Sequence, residues 1–198
     1  MTKPSLEQIQ KLRERTSMGM MDCKNALEEA GCDMEVAVDL LRKKGAKVAA
    51  KRGDNETAAG LVHAYIHPGS LIGVLIEINC ETDFVARNES LKQLANDIGM
   101  HIAASNPLYL SPEEVDSAFL EKEKAFMREQ LAQEGKKGDF VEKIIEGKVQ
   151  KLYSDVCLLQ QNFVKNDKLT IDEVIKDVIG KFGEKIKIRR FARYQIGA

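Results

Sequence analysis

At Gly60 the hydrophobic pattern of this chain changes from a helical repeat to strand alternation, and that change constrains its fold more than any other feature. Gly60-Leu-Val-His-Ala-Tyr-Ile66 and Leu71-Ile-Gly-Val-Leu-Ile-Glu-Ile78 flank His67-Pro-Gly-Ser70. Pro and Gly supply turn dihedrals, so the two runs read as the strands of a hairpin. The second run continues into Glu77-Ile-Asn-Cys-Glu-Thr-Asp-Phe-Val-Ala-Arg87, an apolar strand that ends in an acidic tip carrying one large aromatic, Phe84. Asp83 suits a helix N-cap, because its carboxylate can accept from the free N–H groups of the following turn, and Val85, Leu91, Leu94 and Ala95 continue an apolar face. Phe84 then sits in the first turn between strand and helix. It either packs under that turn, as most aromatics do, or presses on something outside the chain.

Before the hairpin, three short helical patterns run over Ser5 to about Arg15, Asp22 to Ala30, and Asp33 to about Lys44. Asp22 and Asp33 are N-cap candidates, and Gly31 and Gly45 are candidates for the residue just past a helix end. The expected inward stripes are Leu6, Ile9 and Leu12, then Ala26 and Leu27, then Val36, Ala37, Leu40 and Leu41. These make a three-helix bundle over residues 1–45, a core too small to be more than marginal without support. Residues 46–59, rich in Ala with Lys and one Asp and with Gly53 inside, read as a helical arm fading into a linker.

After the hairpin, helical patterns cover Asn88 to Ser105, Ser117 to Glu134, Phe140 to about Gln160 with a break or bend near Gly147, and Thr170 to Ile179. A last strand spans Glu184 to Ile196, with Ile186, Ile188, Ala192, Tyr194 and Ile196 on one side and Lys187, Arg189 and Arg193 on the other. The expected class is α+β, with residues 60–198 forming a small antiparallel sheet packed with helices, which the last strand completes.

Charge and composition exclude several functions. Thirty Lys and Arg against 31 Asp and Glu leave a formal charge of −1, so no global field recruits nucleic acid or an anionic membrane. No apolar run approaches the roughly 20 residues that span a bilayer, and the first residues lead into a polar amphipathic helix without an apolar signal core. The expectation is a soluble cytoplasmic protein, in which the sequons at Asn55 and Asn88 carry no glycan. Cys23, Cys32, Cys80 and Cys157 are scattered without a Cys-x-x-Cys pair and read as reduced packing residues.

Constellations for covalent chemistry are missing from the pattern. Neither a Gly-x-x-x-x-Gly-Lys-Ser/Thr loop nor a Gly-x-Gly-x-x-Gly after a strand occurs. His63 and His67 lie four apart on a strand, roughly 13 Å at about 3.3 Å per residue, too far to hold one ion. Nothing local to Cys80 supplies the lowered pKa that a Cys80–His101 pair would need. The expectation is no catalytic residue, no metal and no cofactor. The basic stretch Arg42 to Arg52 could release counterions from a phosphate backbone, yet it lacks interleaved aromatics, is offset by Glu and Asp elsewhere, and better suits a solvated helical face. Met18-Gly-Met-Met21, between the first two helical patterns, is either a plug for the small bundle or an adaptable docking knob.

Two of these segments carry a family resemblance. Leu12-Arg-Glu-Arg-Thr-Ser-Met-Gly-Met-Met-Asp-Cys-Lys-Asn-Ala-Leu27 and Glu77 to Arg87 resemble, in the right order, the two signatures of the elongation factor Ts family, the guanine-nucleotide exchange factors of elongation factor Tu. The resemblance implies a ubiquitin-associated-like N-terminal domain and an α+β core from about residue 56. It implies that Arg13, Met20, Met21 and Lys24 grip the G domain of elongation factor Tu. Thr82, Asp83, Phe84 and Val85 match the wedge that helps dislodge the partner's magnesium, and His67, Phe182 and Gly183 match core contacts near its phosphate-binding loop. The chain departs from the family pattern at Ser17-Met18, where Gly-Ala is common. It also resembles the short form, with one sheet subdomain in place of two, which implies a homodimer and a 2:2 complex. Two other classes remain for this sequence: a helical adaptor for another client, which would not need the acidic-aromatic tip, and an RNA-binding accessory, which would depend on Arg42 to Arg52.

Overall fold

Local capping starts each of the first helices. In the computed structural model, which describes residues 3–136 and 140–197, the Ser5 hydroxyl accepts from the Gln8 N–H at 3.2 Å and the Gln8 side chain accepts from the Ser5 N–H at 2.9 Å. This reciprocal box opens α1 (Leu6–Thr16). Asp33 caps α3 (Met34–Lys51) by accepting from the N–H groups of Glu35 and Val36. Helix α2 (Met20–Glu29) begins earlier than expected: Gly19 is its cap and Asp22 lies in its first turn, where a carboxylate is favoured by the helix dipole and pairs with Lys44. Helix α3 also runs past Gly45 to Lys51, so that glycine is not a stop.

The remaining elements are β1 (Ala59–Ile66), β2 (Ile72–Cys80), α4 (Asp83–Ala86), α5 (Glu89–Ser105), α6 (Ser117–Gln133), α7 (Phe140–Val156), β3 (Asn162–Phe163), β4 (Asn166–Thr170), α8 (Ile171–Phe182) and β5 (Ile186–Gln195). The fold is α+β. Strands β1, β2 and β5 form one sheet with β2 in the centre, and β3 pairs with β4 in a second. The β1–β2 turn closes with the Ser70 N–H donating to the His67 carbonyl at 2.9 Å.

The chain divides into two compact units, and the three-stranded sheet contributes to both. The first comprises Met1–His63, Ile76–Asn96 and Glu173–Arg189. In it α1, α2 and α3 enclose Ile9, Leu12, Met18, Cys23, Leu27, Ala37 and Leu41. The inward stripe of α3 runs through Met34, Ala37, Val38, Leu41 and Gly45 rather than through Val36, which is exposed, as is Leu6 in the first turn of α1. Gly45 lies on that stripe because α8 crosses there. A Cβ on Gly45 would stand 2.9 Å from the Lys176 carbonyl oxygen, and one on Gly180 would stand 2.8 Å from the Gly45 Cα. The two helices meet backbone to backbone at this pair.

The second unit comprises Ala64–Leu75, Asp97–Asp172 and Arg190–Ala198. Helices α6 and α7 pack through Leu131, Ile145 and Val149. Because Ile145 and Val149 anchor α7 on either side of Gly147, the helix runs unbroken there; this packing outweighs the roughly 1 kcal/mol that glycine costs a helix. Helix α7 ends at Val156, and Leu158–Gln160 forms a separate 3-10 turn. Strand β5 also departs from simple alternation. Ile186 and Ile188 are buried, but Tyr194 and Ile196 are exposed, while Arg193 donates to the Ala103 carbonyl.

A buried polar pair joins three segments of this second unit. His101 Nδ1 accepts from the Val164 N–H at 3.3 Å, so Nε2 carries the proton and donates to Gln161 Oε1 at 2.9 Å. The Gln161 amide donates in turn to the Asp155 carbonyl at 2.8 Å. Burial lowers the imidazole pKa below its usual range, against the opposing effect of the Gln161 hydrogen bond.

Two predictions follow the packing. Gly180→Ala should destabilise the chain by about 1–3 kcal/mol, the usual cost of forcing atoms into a packed contact, as read from urea unfolding. His101 stabilises the fold when neutral. Its contribution is therefore complete above the unfolded imidazole value near pH 6.5 and is lost as pH falls from there through the depressed folded value. Urea midpoints should consequently fall more between pH 7 and pH 5.5 for the native chain than for His101→Gln.

Candidate partner interface

The acidic-aromatic tip is set by hydrogen bonds from behind and presents its aromatic side chain to solvent. Strand β2 ends at Cys80, and Thr82, rather than Asp83, caps α4: its hydroxyl accepts from the Val85 N–H at 3.4 Å. Asp83 is the first helical residue and pairs with Arg87 at 3.0 Å on the surface, a contact worth little to stability. Val85 is 3% exposed and anchors the turn, whereas Phe84, one residue earlier, is 79% exposed. The alternative in which Phe84 packs under its own turn is thereby excluded.

Two carboxylates fix the backbone beneath this turn. The Thr82 N–H and hydroxyl both donate to Glu184, at 3.1 and 2.8 Å. Glu81 accepts from Arg52 at 2.8 Å, from the Asn55 amide at 2.9 Å and from the Lys185 backbone N–H. The Lys185 N–H, foremost, and then Asn55 and Arg52 hold the Glu81 pKa below the usual carboxylate range despite partial desolvation. The Lys185 ammonium donates to the carbonyls of Gly53 and Asn55, tying the end of α3 to the same corner.

Phe182 and Gly183 arrive at this corner through α8. Gly183 closes the helix with φ 69°, a left-handed conformation suited to glycine, and its N–H donates to the Ile179 carbonyl at 2.8 Å. Phe182 is half-buried, with the Lys181 ammonium 5.5 Å from its ring centre. Glu184 follows immediately, so hydrogen bonds from Thr82 to Glu184 and from Lys185 to Glu81 join the segment Thr82–Val85 to the residues just past Phe182–Gly183.

The bundle residues divide by exposure. Met18 is 5% exposed and plugs the bundle, with its methyl group directed at Gly180. Met20 is half-buried against the bundle core and Met21 is 63% exposed; both belong to the first turn of α2 and not to a loop. Lys24 shares their helix face and lies 3.8 Å from Glu28, and Arg13 is exposed on α1. Ser17 stands at φ 56°, a left-handed position at which a side chain is strained and glycine is favoured. His67 lies in the other compact unit, at the hairpin turn, with Nδ1 3.1 Å from the Tyr65 hydroxyl.

Other candidates acquire structural roles. The Cys80 thiol donates to the Thr82 carbonyl at 3.1 Å and so supports the turn, and burial, reinforced by Glu184, pushes its pKa up. Burial pushes the Cys157 thiol up to about 11. Within the basic stretch, Arg42 approaches Asp39 and Asp177, Lys44 pairs with Asp22, and Arg52 serves Glu81. Half of its cations are thus engaged inside the chain, which weakens it as a phosphate-binding face. Among the described residues, no cluster of His, Cys, Asp and Glu could hold a metal ion, and no helix is long and apolar enough to cross a membrane.

The exposure contrast predicts a contrast in stability. Phe84→Ala should change the unfolding free energy by less than about 0.5 kcal/mol, as for other surface sites. Val85→Ala, which removes two buried methyl groups, should cost roughly 1–3 kcal/mol in the same urea titration.

Comparison with known proteins gives a consistent result. The family model described as elongation factor TS matches residues 25–198. The chain is 51% identical over 197 residues to elongation factor Ts of Desulforamulus reducens, covering 100% of this chain and 91% of that protein. It is 51% identical over 193 residues to elongation factor Ts of Fervidobacterium nodosum, covering 98% of each. It is 49% identical over 191 residues to elongation factor Ts of Carboxydothermus hydrogenoformans, covering 96% of this chain and 88% of that protein.

Proposed function

The chain belongs to the elongation factor Ts family, and from that premise we propose that it is a guanine-nucleotide exchange factor which binds elongation factor Tu with GDP and promotes GDP release. The observation that carries this reading is the exposed Phe84 beside Asp83, on a turn whose backbone is fixed by Glu81 and Glu184. In the proposed action Thr82, Asp83, Phe84 and Val85 form the wedge that displaces the partner's magnesium. Val85 acts there as the buried root of the wedge and Phe84 as its contact surface. Arg13, Met20, Met21 and Lys24 hold the partner's G domain, and His67, Phe182 and Gly183 contact the region of its phosphate-binding loop. Residues 1–45 serve as the docking domain, 46–59 as the arm and 60–198 as the core that carries exchange and dimerisation.

Such an activity needs no acid, base or cofactor. An exchange factor binds the nucleotide-free partner better than the nucleotide-bound one, and the coupling is reciprocal: the protein loosens GDP to the extent that GDP loosens the protein. A thousandfold loosening corresponds to about 4 kcal/mol of differential binding. Burying one Phe contributes roughly 1.5–3 kcal/mol. Phe84 therefore supplies a large share and the remainder comes from the bundle and core contacts.

A homodimer with a 2:2 complex belongs to the same proposal. Its support is the set of exposed apolar residues in the second unit: Ile66, Leu71 and Leu75 of the hairpin with Tyr194 and Ile196 at the end of β5. The place of action is the cytoplasm, with no membrane or direct nucleic-acid contact in the mechanism.

Release of a fluorescent GDP analogue from purified elongation factor Tu, at fixed magnesium and with excess unlabelled GDP, tests the reading. The protein should accelerate release at substoichiometric amounts. Phe84→Ala should lower the maximal rate more than it weakens docking, whereas Met20→Ala with Met21→Ala should chiefly weaken docking. No acceleration with a competent partner would transfer the chain to another client.

A further inference from the structure

The exposed tip is short. Helix α4 has four residues, too few to hold its own shape, because an isolated turn fixes several dihedrals in return for a single hydrogen bond. Its geometry must be imposed from outside. The constraint comes from a segment about a hundred residues away, in a reciprocal arrangement. Glu81 accepts from the backbone N–H of Lys185, while Glu184 accepts from the backbone N–H and hydroxyl of Thr82. Each of the two adjacent pairs, 81–82 and 184–185, thus contributes one carboxylate and receives one from the other.

We propose that Glu184 and Glu81 are positioning residues for nucleotide exchange, forming a carboxylate clasp that makes the Phe84 tip and the Phe182–Gly183 corner a single rigid element. The proposal rests on the exchange-factor reading above. Glu184 has the more direct action. By accepting the Thr82 hydroxyl proton at 2.8 Å it turns the hydroxyl lone pairs toward the Val85 N–H, and so sets the cap that orients Phe84. Glu81 fixes the strand end one residue earlier and is itself charged and fully engaged by Arg52 and Asn55. Hydrogen bonds to ionised acceptors are stronger than neutral ones.

A wedge transmits force only if it does not fold back on contact. Without the clasp, Phe84 would still reach the partner, but part of the binding free energy would be consumed in ordering the turn rather than in distorting the partner's site. Loss of the clasp should therefore appear in the maximal exchange rate and not in docking. This separates Glu184 from a residue that merely maintains the fold, whose loss would lower stability and active concentration together.

The chain contains no tryptophan, so Phe84→Trp places a single fluorescent reporter at the tip. In this background, time-resolved anisotropy of the isolated protein should reveal added fast local motion when Glu184→Ala is introduced, with an unchanged overall tumbling time. In the GDP-release assay, Glu184→Ala in the otherwise native chain should lower the maximal rate on the order of tenfold, since small misplacements of a positioned group cost up to about a hundredfold. The half-saturating concentration should stay within about twofold. Glu184→Gln, which keeps one acceptor oxygen for Thr82, should recover part of the loss and serves as the readout if the alanine variant does not fold.

An unchanged maximal rate in both variants, or equal losses in rate and docking, would overturn the proposal. So would a tip equally rigid without Glu184. Failure of the native protein to accelerate GDP release would instead defeat the exchange-factor reading, and the anisotropy measurement would still decide whether the clasp orders the tip.

Discussion

The first compact unit depends on the place where α3 and α8 touch without side chains between them. Helices usually pack 8–10 Å apart because side chains fill the gap. At Gly45 and Gly180 a single added carbon would fall within 3 Å of the opposite backbone. This close approach lets Met18 insert beside Gly180 and supports a three-helix cluster too small to be secure by itself. It also carries α3 onward to Arg52 and α8 onward to Gly183, the two ends that meet at Glu81 and Glu184. The Phe84 tip is thus built on a helix crossing whose residues lie far from it in the chain.

Polar contacts then do locally what the small apolar surface of α4 could not. The turn anchors only Val85 and Ala86 in the interior, and burial of two small side chains contributes at most a few kcal/mol. That is little against the ordering cost of about 1–2 kcal/mol per residue over four residues. Charge-assisted hydrogen bonds accepted by Glu81 and Glu184 offset the difference while leaving Phe84 outside. A turn held by apolar packing would have drawn the aromatic ring inward. Under the proposed function, holding the turn with carboxylates is what leaves the ring available to a partner.

The sequence was most legible where a signal is local. Asp33 and Gly31 are readable as caps because a cap concerns its immediate neighbours, although Gly19 and Thr82 cap the helices for which Asp22 and Asp83 are expected, and the hairpin around His67 to Ser70 follows from its turn residues and flanking alternation. The tip at Phe84 was readable for the same reason, as the end of an apolar strand. The larger departures lie where distant packing decides the outcome. Gly45 looks like a stop until α8 is placed against it, and Gly147 looks like a break until Ile145 and Val149 are seen to anchor both sides. The small β3–β4 sheet went unread because two residues at Asn162–Phe163 are too few to show a period.

The candidate site divides along the same line. Which of Met18, Met20 and Met21 plugs the bundle and which stays outside could not be settled from spacing, since all three have the same chemistry. Their separation follows from α2 beginning at Met20, which turns Met18 inward and leaves Met21 on the surface. Glu81 and Glu184 were invisible for a stronger reason. An acidic residue among 31 Asp and Glu carries no pattern of its own, and its meaning lies in a partner a hundred residues away. Under the proposed function, a local motif can therefore reveal the surface that meets the partner, while the residues that keep this surface in shape emerge only when the chain is folded. If the tip works by distorting its partner, as proposed, the second group bears on rate as directly as the first bears on recognition. The two are separable in principle because contact area governs docking and stiffness governs how much of the contact energy reaches the partner's site.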